Sequence, residues 1–244
     1  MAAYTCVSCS ATVFGAKGVC EICGARLPTP AQTQDELPVQ EYQPAESVTL
    51  TVVRKDGSDG PSYTLVSMSG TDHVIGRDEG DLPFPDDPWM SPRHAKLYWK
   101  NRELWVADLD SEKGVYLRLN EPRELESGDL FMAGEQTFRF EFESEKKQVS
   151  LFRVVCLDES VDEENTVESK TGAIRVGREN GEIVCAQDPY MSRRHCQVHL
   201  DDERFLLSDL GSRNGTFVRM KEATRLQPED FFFVGQKLFR VAFD

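Results

Sequence analysis

The chain has 244 residues, room for one to three domains, and carries 42 acidic against 28 basic side chains, a net charge of −14. That balance disfavours nucleic acid and anionic membrane as partners, since basic patches supply most of the affinity for both. No apolar run approaches the ~20 residues of a membrane span. Met1 is followed by a Cys-rich stretch rather than by the basic and apolar regions of a signal peptide, so the expected location is cytoplasmic.

Four of the seven cysteines fall in the first 23 residues, as Cys6-Val7-Ser8-Cys9 and Cys20-Glu21-Ile22-Cys23. Two residues between thiolates let both sulfurs reach one ion from a tight turn, and two such turns supply four tetrahedral ligands. The segment has too few apolar residues to fold without the metal, so binding and folding are expected to be coupled. Residues 4 to about 27 resemble the short zinc ribbons at the N-termini of many bacterial proteins, and the expected ribbon domain is 1–27. The expected cofactor is a structural Zn2+ on Cys6, Cys9, Cys20 and Cys23. The ligands alone do not exclude iron, and a single C-x2-C is also a redox motif, although no thioredoxin-like strand-helix pattern surrounds this pair. Residues 28–46 are rich in Pro, Gln and acid without periodicity, and read as a flexible linker.

From there on, one pattern occurs twice, each residue recurring 101 positions later. Gly76-Arg77 returns as Gly177-Arg178, and Ser91, Arg93 and His94 return as Ser192, Arg194 and His195. Asp108-Leu109, Gly114, Gly134 and Phe138 return as Asp209-Leu210, Gly215, Gly235 and Phe239. A period this long marks two copies of a domain rather than a solenoid. The expected boundaries are 47–144 and 148–244. The shared residues are mostly polar and sit around turns, which points to a shared binding edge.

Within each copy the pattern is that of short strands. Phe138, Phe140 and Phe142 alternate with Arg139 and Glu141, a half-buried strand. Leu97 and Trp99 precede Asn101-Arg102, and an apolar run resumes at Leu104, which predicts a hairpin. In the second copy Val198 and Leu200 precede Asp201-Asp202 and then Phe205 to Leu207. No stretch has a convincing helical period, so the expected fold is all-β, two antiparallel β-sandwiches behind the ribbon.

Gly177-Arg178, Ser192-Arg193-Arg194-His195 and Ser212-Arg213-Asn214-Gly215-Thr216 resemble the forkhead-associated (FHA) domain. So do the closing runs Asp230 to Gly235 and Phe239 to Phe243. The resemblance implies an eleven-stranded β-sandwich whose loops at one end bind phosphothreonine peptides. It implies a phosphopeptide site of Arg178, Ser192, Arg193, Arg213 and Asn214, with the Asn gripping peptide backbone and the His structural. The chemistry agrees. A phosphate dianion offers three acceptor oxygens, an Arg fork supplies paired charge-assisted bonds, and an Asn amide both donates and accepts. Singly, each residue has a plainer reading: Asn214-Gly215, for example, is a common hairpin turn.

The first copy keeps Arg77 and Ser91, but Pro92 stands in place of Arg193, Glu112 in place of Arg213 and Lys113 in place of Asn214. Glu112 sets a negative charge near a dianion, and Lys113 has no acceptor for a peptide N–H. A weakened site of Arg77, Ser91 and Lys113 is expected there. Each copy also holds a Ser, a His and an Asp. In extended chain Ser192 and His195 would lie ~10 Å apart with side chains on opposite faces, and no nucleophile elbow occurs, so no enzyme is expected. The expected function is a phosphothreonine-binding signalling adaptor downstream of a Ser/Thr kinase. The alternative is a phospho-independent interaction scaffold.

Overall fold

The computed structural model describes residues 3–5, 12–14, 47–67, 72–142, 151–157 and 165–243. The chain divides into two compact units, 1–43 and 44–244. In the first, β1 (Ala3–Thr5) pairs antiparallel with β2 (Thr12–Phe14), Tyr4 opposite Val13. Cys6, Cys9, Cys20, Cys23 and the linker lie outside the described residues.

The second unit is built of strands, with no helix among the described residues. The first repeat supplies β3 (Ser47–Val53), β4 (Asp59–Val66), β5 (Asp72–Gly76), β6 (Leu82–Pro83), β7 (Ala95–Lys100), β8 (Glu103–Asp108) and β9 (Val115–Arg118). It then adds three closing strands, β10 (Arg123–Glu124), β11 (Leu130–Ala133) and β12 (Gln136–Phe142). The second repeat supplies β13 (Phe152–Leu157), β14 (Asn165–Glu168), β15 (Ala173–Gly177), β16 (Ile183–Val184), β17 (Cys196–Asp201), β18 (Arg204–Asp209) and β19 (Thr216–Arg219). Its closing strands are β20 (Thr224–Arg225), β21 (Phe231–Val234) and β22 (Lys237–Phe243).

Local chemistry accounts for these elements. Val48, Leu50 and Val52 of β3, and Phe138 and Phe140 of β12, alternate inward and are buried. The hairpin β7–β8 turns on Asn101 and Arg102, both at positive φ (53° and 63°), the primed turn whose twist suits paired strands. Its counterpart β17–β18 turns on Asp202 and Glu203, one residue later than the sequence pattern places it.

Each repeat supplies strands to both sandwiches. One ten-stranded sheet runs β14-β13-β12-β11-β19-β9-β21-β22-β3-β4, backed by two five-stranded sheets, β20-β8-β7-β5-β6 and β10-β18-β17-β15-β16. β22 of the second repeat pairs with β3, and β20 pairs with β8. β12 of the first repeat pairs with β13, and β10 pairs with β18. The closing strands are therefore exchanged. The two cores follow suit. Phe232, Val234, Phe239 and Val241 pack with Val48, Leu50, Leu97 and Val106. Phe131, Phe138 and Phe140 pack with Phe152, Val198, Phe205 and Leu207.

The exchange runs through the middle of the large sheet. β9 and β19 lie antiparallel, with Phe217 opposite Arg118 and Val218 opposite Leu117. Beyond each strand the chain continues past its neighbour. Leu119 N–H donates to Thr216 O (2.8 Å) and Met220 N–H to Val115 O (2.8 Å). Asn120 Nδ2 then reaches Asp230 Oδ1 at 2.8 Å, and Lys221 Nζ reaches Glu126 at 2.6 Å. Each core accepts the other repeat's strands because the two sets are interchangeable: Leu125, Phe131 and Phe138 correspond to Leu226, Phe232 and Phe239. Joining both sandwiches through β9 and β19 also removes two exposed sheet edges.

Candidate functional site

The polar residues shared by the repeats gather on loops where the sheets end. In the second repeat, β15 stops at Gly177, where a Cβ would run into the carbonyl oxygens of Arg193 and Asn180. The chain turns there, and Arg178 N–H donates to Ser192 O (2.9 Å). That bond ties the loop bearing Arg178 to the loop bearing Ser192 and Arg193.

His195 fastens the second loop to the third. It is fully buried. Ser192 N–H donates to its Nδ1 (3.0 Å), and its Nε2 lies 3.0 Å from Gly215 O. An Nδ1 that accepts leaves the proton on Nε2, which donates to Gly215. Both ring nitrogens are thus occupied by backbone. The segment is bent rather than extended, and the imidazole meets the Ser192 amide, not its hydroxyl. Ser192 Oγ instead accepts from Arg213 N–H (3.0 Å). A nucleophile-base pair needs the hydroxyl on the imidazole, and the geometry here is a loop brace.

The third loop is shaped by Asp209. Its carboxylate accepts from Gly211 N–H (2.9 Å), Ser212 N–H (2.8 Å), Ser212 Oγ (2.6 Å) and Thr216 Oγ1 (2.7 Å). Burial by itself would raise its pKa, but the hydroxyl bonds from Ser212 and Thr216 outweigh that and hold it below its ordinary value. This loop joins β18 to β19, which lie in different sheets, so Asn214-Gly215 is not a hairpin turn. Asn214, an exposed residue, donates from Nδ2 to Tyr190 O at 2.8 Å.

Three loops therefore bring Arg178, Ser192, Arg193, Arg213 and Asn214 to one end of the sandwich. Glu179 sits among the cations, 3.7 Å from Arg178 Nη2 and 3.3 Å from Arg193 Nε. These groups are largely exposed, so such pairs are weak and readily exchanged for a stronger anion.

The first repeat has the same frame around different contents. Ser91 N–H donates to His94 Nδ1 (3.1 Å), His94 Nε2 donates to Gly114 O (3.1 Å), and Glu112 N–H donates to Ser91 Oγ (3.2 Å). Burial pushes the pKa of His94 down from 6.5. Arg77 Nε is held at 2.8 Å by Asp78. Lys113 Nζ lies 4.0 Å from the centre of the Trp89 ring, the cation-on-face geometry of a ring quadrupole contact.

Sequence reasoning missed two further groups. Asp188 Oδ1 accepts from Tyr190 N–H (2.8 Å) and Met191 N–H (3.1 Å), while Oδ2 accepts from Glu135 N–H (2.7 Å) of the exchanged β11–β12 turn. Asp87 does the same for Trp89 N–H (3.0 Å) and Gln236 N–H (2.8 Å). The signal was present, since Asp87-Pro88 and Asp188-Pro189 obey the 101-residue offset. The other group is a reciprocal pair of arginines. A Cβ on Gly215 would meet the Arg118 side chain, and one on Gly114 would meet Arg219. Each loop thus rests on an arginine from the opposite repeat.

Among the described residues, no group of His, Cys, Asp and Glu has the makings of a metal site, and no helix is long and apolar enough to cross a membrane.

The FHA domain model matches residues 73–134 and 174–235, together just over half of the chain. No curated protein matches the sequence. Among solved structures, the chain is similar to the FHA domain of a Chlamydia trachomatis protein, at 12% identity over 80% of this chain and 96% of that one, TM-score 0.35. It is similar to a structure from work on phosphothreonine-dependent FHA domain interactions, at 14% identity over 81% and 97%, TM-score 0.33. A shorter match is to EmbR of Mycobacterium tuberculosis in complex with a low-affinity phosphopeptide, at 22% identity over 33% and 22%, TM-score 0.20. With both repeats matched, and with the braced Ser-His-Gly loop frame present in each, the chain belongs to the FHA domain family.

Proposed function

We propose that this protein is a cytoplasmic signalling adaptor that binds phosphothreonine peptides through the second-repeat loops, downstream of a Ser/Thr kinase. The observation that carries the reading is the bracing of three loops by Arg178 N–Ser192 O, Ser192 Oγ–Arg213 N and Asn214–Tyr190 O. Arg178 supplies the guanidinium fork for the phosphate, and Arg193 and Arg213 add charge from either side. Ser192 Oγ accepts from Arg213 with a lone pair, which leaves its O–H to donate to a phosphate oxygen. Asn214 Oδ1 accepts a backbone N–H of the extended peptide. Glu179 holds the place of the anion and swings away when a dianion arrives.

The first repeat serves mainly as a structural partner. Its Lys113 is on the Trp89 face, and Glu112 in place of Arg213 opposes a dianion. Cys6, Cys9, Cys20 and Cys23 hold one structural Zn2+ in a ribbon that is a separate interaction module.

The reading is tested by pull-down of phosphoproteins with the full chain, before and after phosphatase treatment of the lysate. Capture that vanishes on dephosphorylation and in Arg178→Ala supports it. Capture indifferent to phosphatase favours the scaffold alternative instead.

A further inference from the structure

The strand exchange places a first-repeat arginine at the second-repeat pocket. On β9, Val115 and Leu117 face the first core, so Tyr116 and Arg118 face the opposite side of the large sheet. On β19, Phe217 and Arg219 share that side, with Phe217 directly opposite Arg118 and Tyr116 opposite Arg219. Tyr116 and Phe217 are only 7% and 4% exposed although they belong to neither core. Phe217 packs edge-on against Phe233 (4.8 Å), and the Arg118 guanidinium lies 5.1 Å from the Phe231 ring centre. Arg118 and Arg219 thus stand diagonally across the β9–β19 pair on one side of the sheet, with Phe217 and Tyr116 at the other two corners.

Neither Arg118 nor Arg219 has a carboxylate partner among the described residues, in a chain with 42 acidic side chains. Both are half-buried and unpaired, and Arg118 is backed by the Phe231 ring, which leaves it poised to attract an anion from outside the chain. Arg118 packs on Gly215, the residue next to Asn214. The Arg118 guanidinium therefore borders the loop that carries Asn214. The other first-repeat cation at this rim, Lys55, lies 5.7 Å from the Tyr190 ring centre but is already paired with Glu135 at 2.9 Å. It offers little net charge.

We propose that Arg118 is a specificity-determining residue of the second pocket, reading an acidic side chain that flanks the phosphothreonine, so that the recognition surface is composite between repeats. This rests on the phosphothreonine reading of that pocket, and the test separates the two.

The full-length protein is titrated with two phosphothreonine peptides of one sequence, one with neutral flanks and one with glutamates on both sides. The unphosphorylated acidic peptide is the control. The expected result is roughly tenfold tighter binding of the acid-flanked phosphopeptide, a preference that shrinks as salt screens the charges. Arg118→Gln should erase the preference, read as the ratio of the two phosphopeptide affinities within that variant, so that any loosening of the Gly215 loop affects both peptides and cancels. Arg118→Lys, which keeps the charge and disturbs packing least, should retain part of the preference. Arg219→Gln, at the other pocket, should retain it in full. Phosphopeptide binding with no acidic preference, or a preference unchanged in Arg118→Gln, would overturn the assignment of Arg118 and leave the pocket standing. Binding of neither phosphopeptide would overturn the pocket and this assignment together.

Discussion

Ser192 Oγ accepts a hydrogen bond from the backbone N–H of Arg213 at 3.0 Å, and in the first repeat Ser91 Oγ accepts from Glu112 N–H at 3.2 Å. The hydroxyl thus ties two loops together by accepting, which leaves its own proton free to donate. Ser192→Ala loosens one brace and, on the proposed phosphothreonine mode, also removes one donor to phosphate. Hydrogen bonds to charged groups contribute about 1.5–3 kcal/mol, so phosphothreonine-peptide affinity should fall roughly tenfold or more. The loss should be smaller than that caused by Arg178→Ala, which removes a two-pronged contact. Calorimetric titration of both variants with one peptide checks the order.

The exchange of closing strands gives truncation an unusual consequence. Deleting residues 224–244 takes Phe232 and Phe239 out of the core formed by Val48, Leu50 and Leu97. Replacing a single core Phe by Ala costs about 3–5 kcal/mol, against a total domain stability of about 5–15 kcal/mol. The truncated chain should therefore lose amide protection across residues 47–118, in the opposite repeat, and keep it across 152–219. Hydrogen exchange read by mass spectrometry distinguishes this from strands that close on their own repeat, which would lose protection in 152–219 instead.

His94 ties stability to pH. Its folded-state pKa is depressed below 6.5, first by burial, with the Gly114 carbonyl acting in the other direction. Between the folded and unfolded values the unfolded chain binds the extra proton, so stability rises with pH across that window and falls as acid is added below about 6.5. The His94 imidazole should titrate below pH 6.5 by NMR, and the midpoint of urea unfolding should drop in step. An imidazole that titrates above 6.5 would reverse the sign.

The N-terminal cysteines should carry one metal per chain. Purified protein is expected to contain about one zinc, and Cys20→Ser should lower that content and open residues 1–27 to protease while the sandwiches stay folded. Metal-free protein with a protected N-terminus would contradict the assignment.

Much of the molecule was legible in the sequence, because the signals are local. The alternation of Phe138, Phe140 and Phe142 marks a strand wherever it pairs, and Asn101-Arg102 punctuates a hairpin whatever surrounds it. The loop residues Arg178 and Ser192 showed through the 101-residue offset, and Asn214 through the FHA-like run Ser212 to Thr216. The exchange was not legible. Phe131 and Phe232 satisfy the same pattern, so periodicity reads identically whether each closes its own core or its neighbour's. Arg118 stayed hidden for the same reason, since its place beside Gly215 exists only once β9 lies against β19. Asn214-Gly215 taken alone reads as a hairpin turn, and only the assignment of β18 and β19 to separate sheets shows otherwise.

If the second-repeat pocket binds phosphothreonine and the first contributes little, Arg178 and Arg77 must differ sharply in weight. The most direct test is titration of the full-length protein, Arg178→Ala and Arg77→Ala with one phosphothreonine peptide and its unphosphorylated twin. Wild type should bind only the phosphorylated peptide, Arg178→Ala should lose at least roughly tenfold, and Arg77→Ala should change little. Equal losses in the two variants, or equal binding of the two peptides, would contradict this reading of the two pockets.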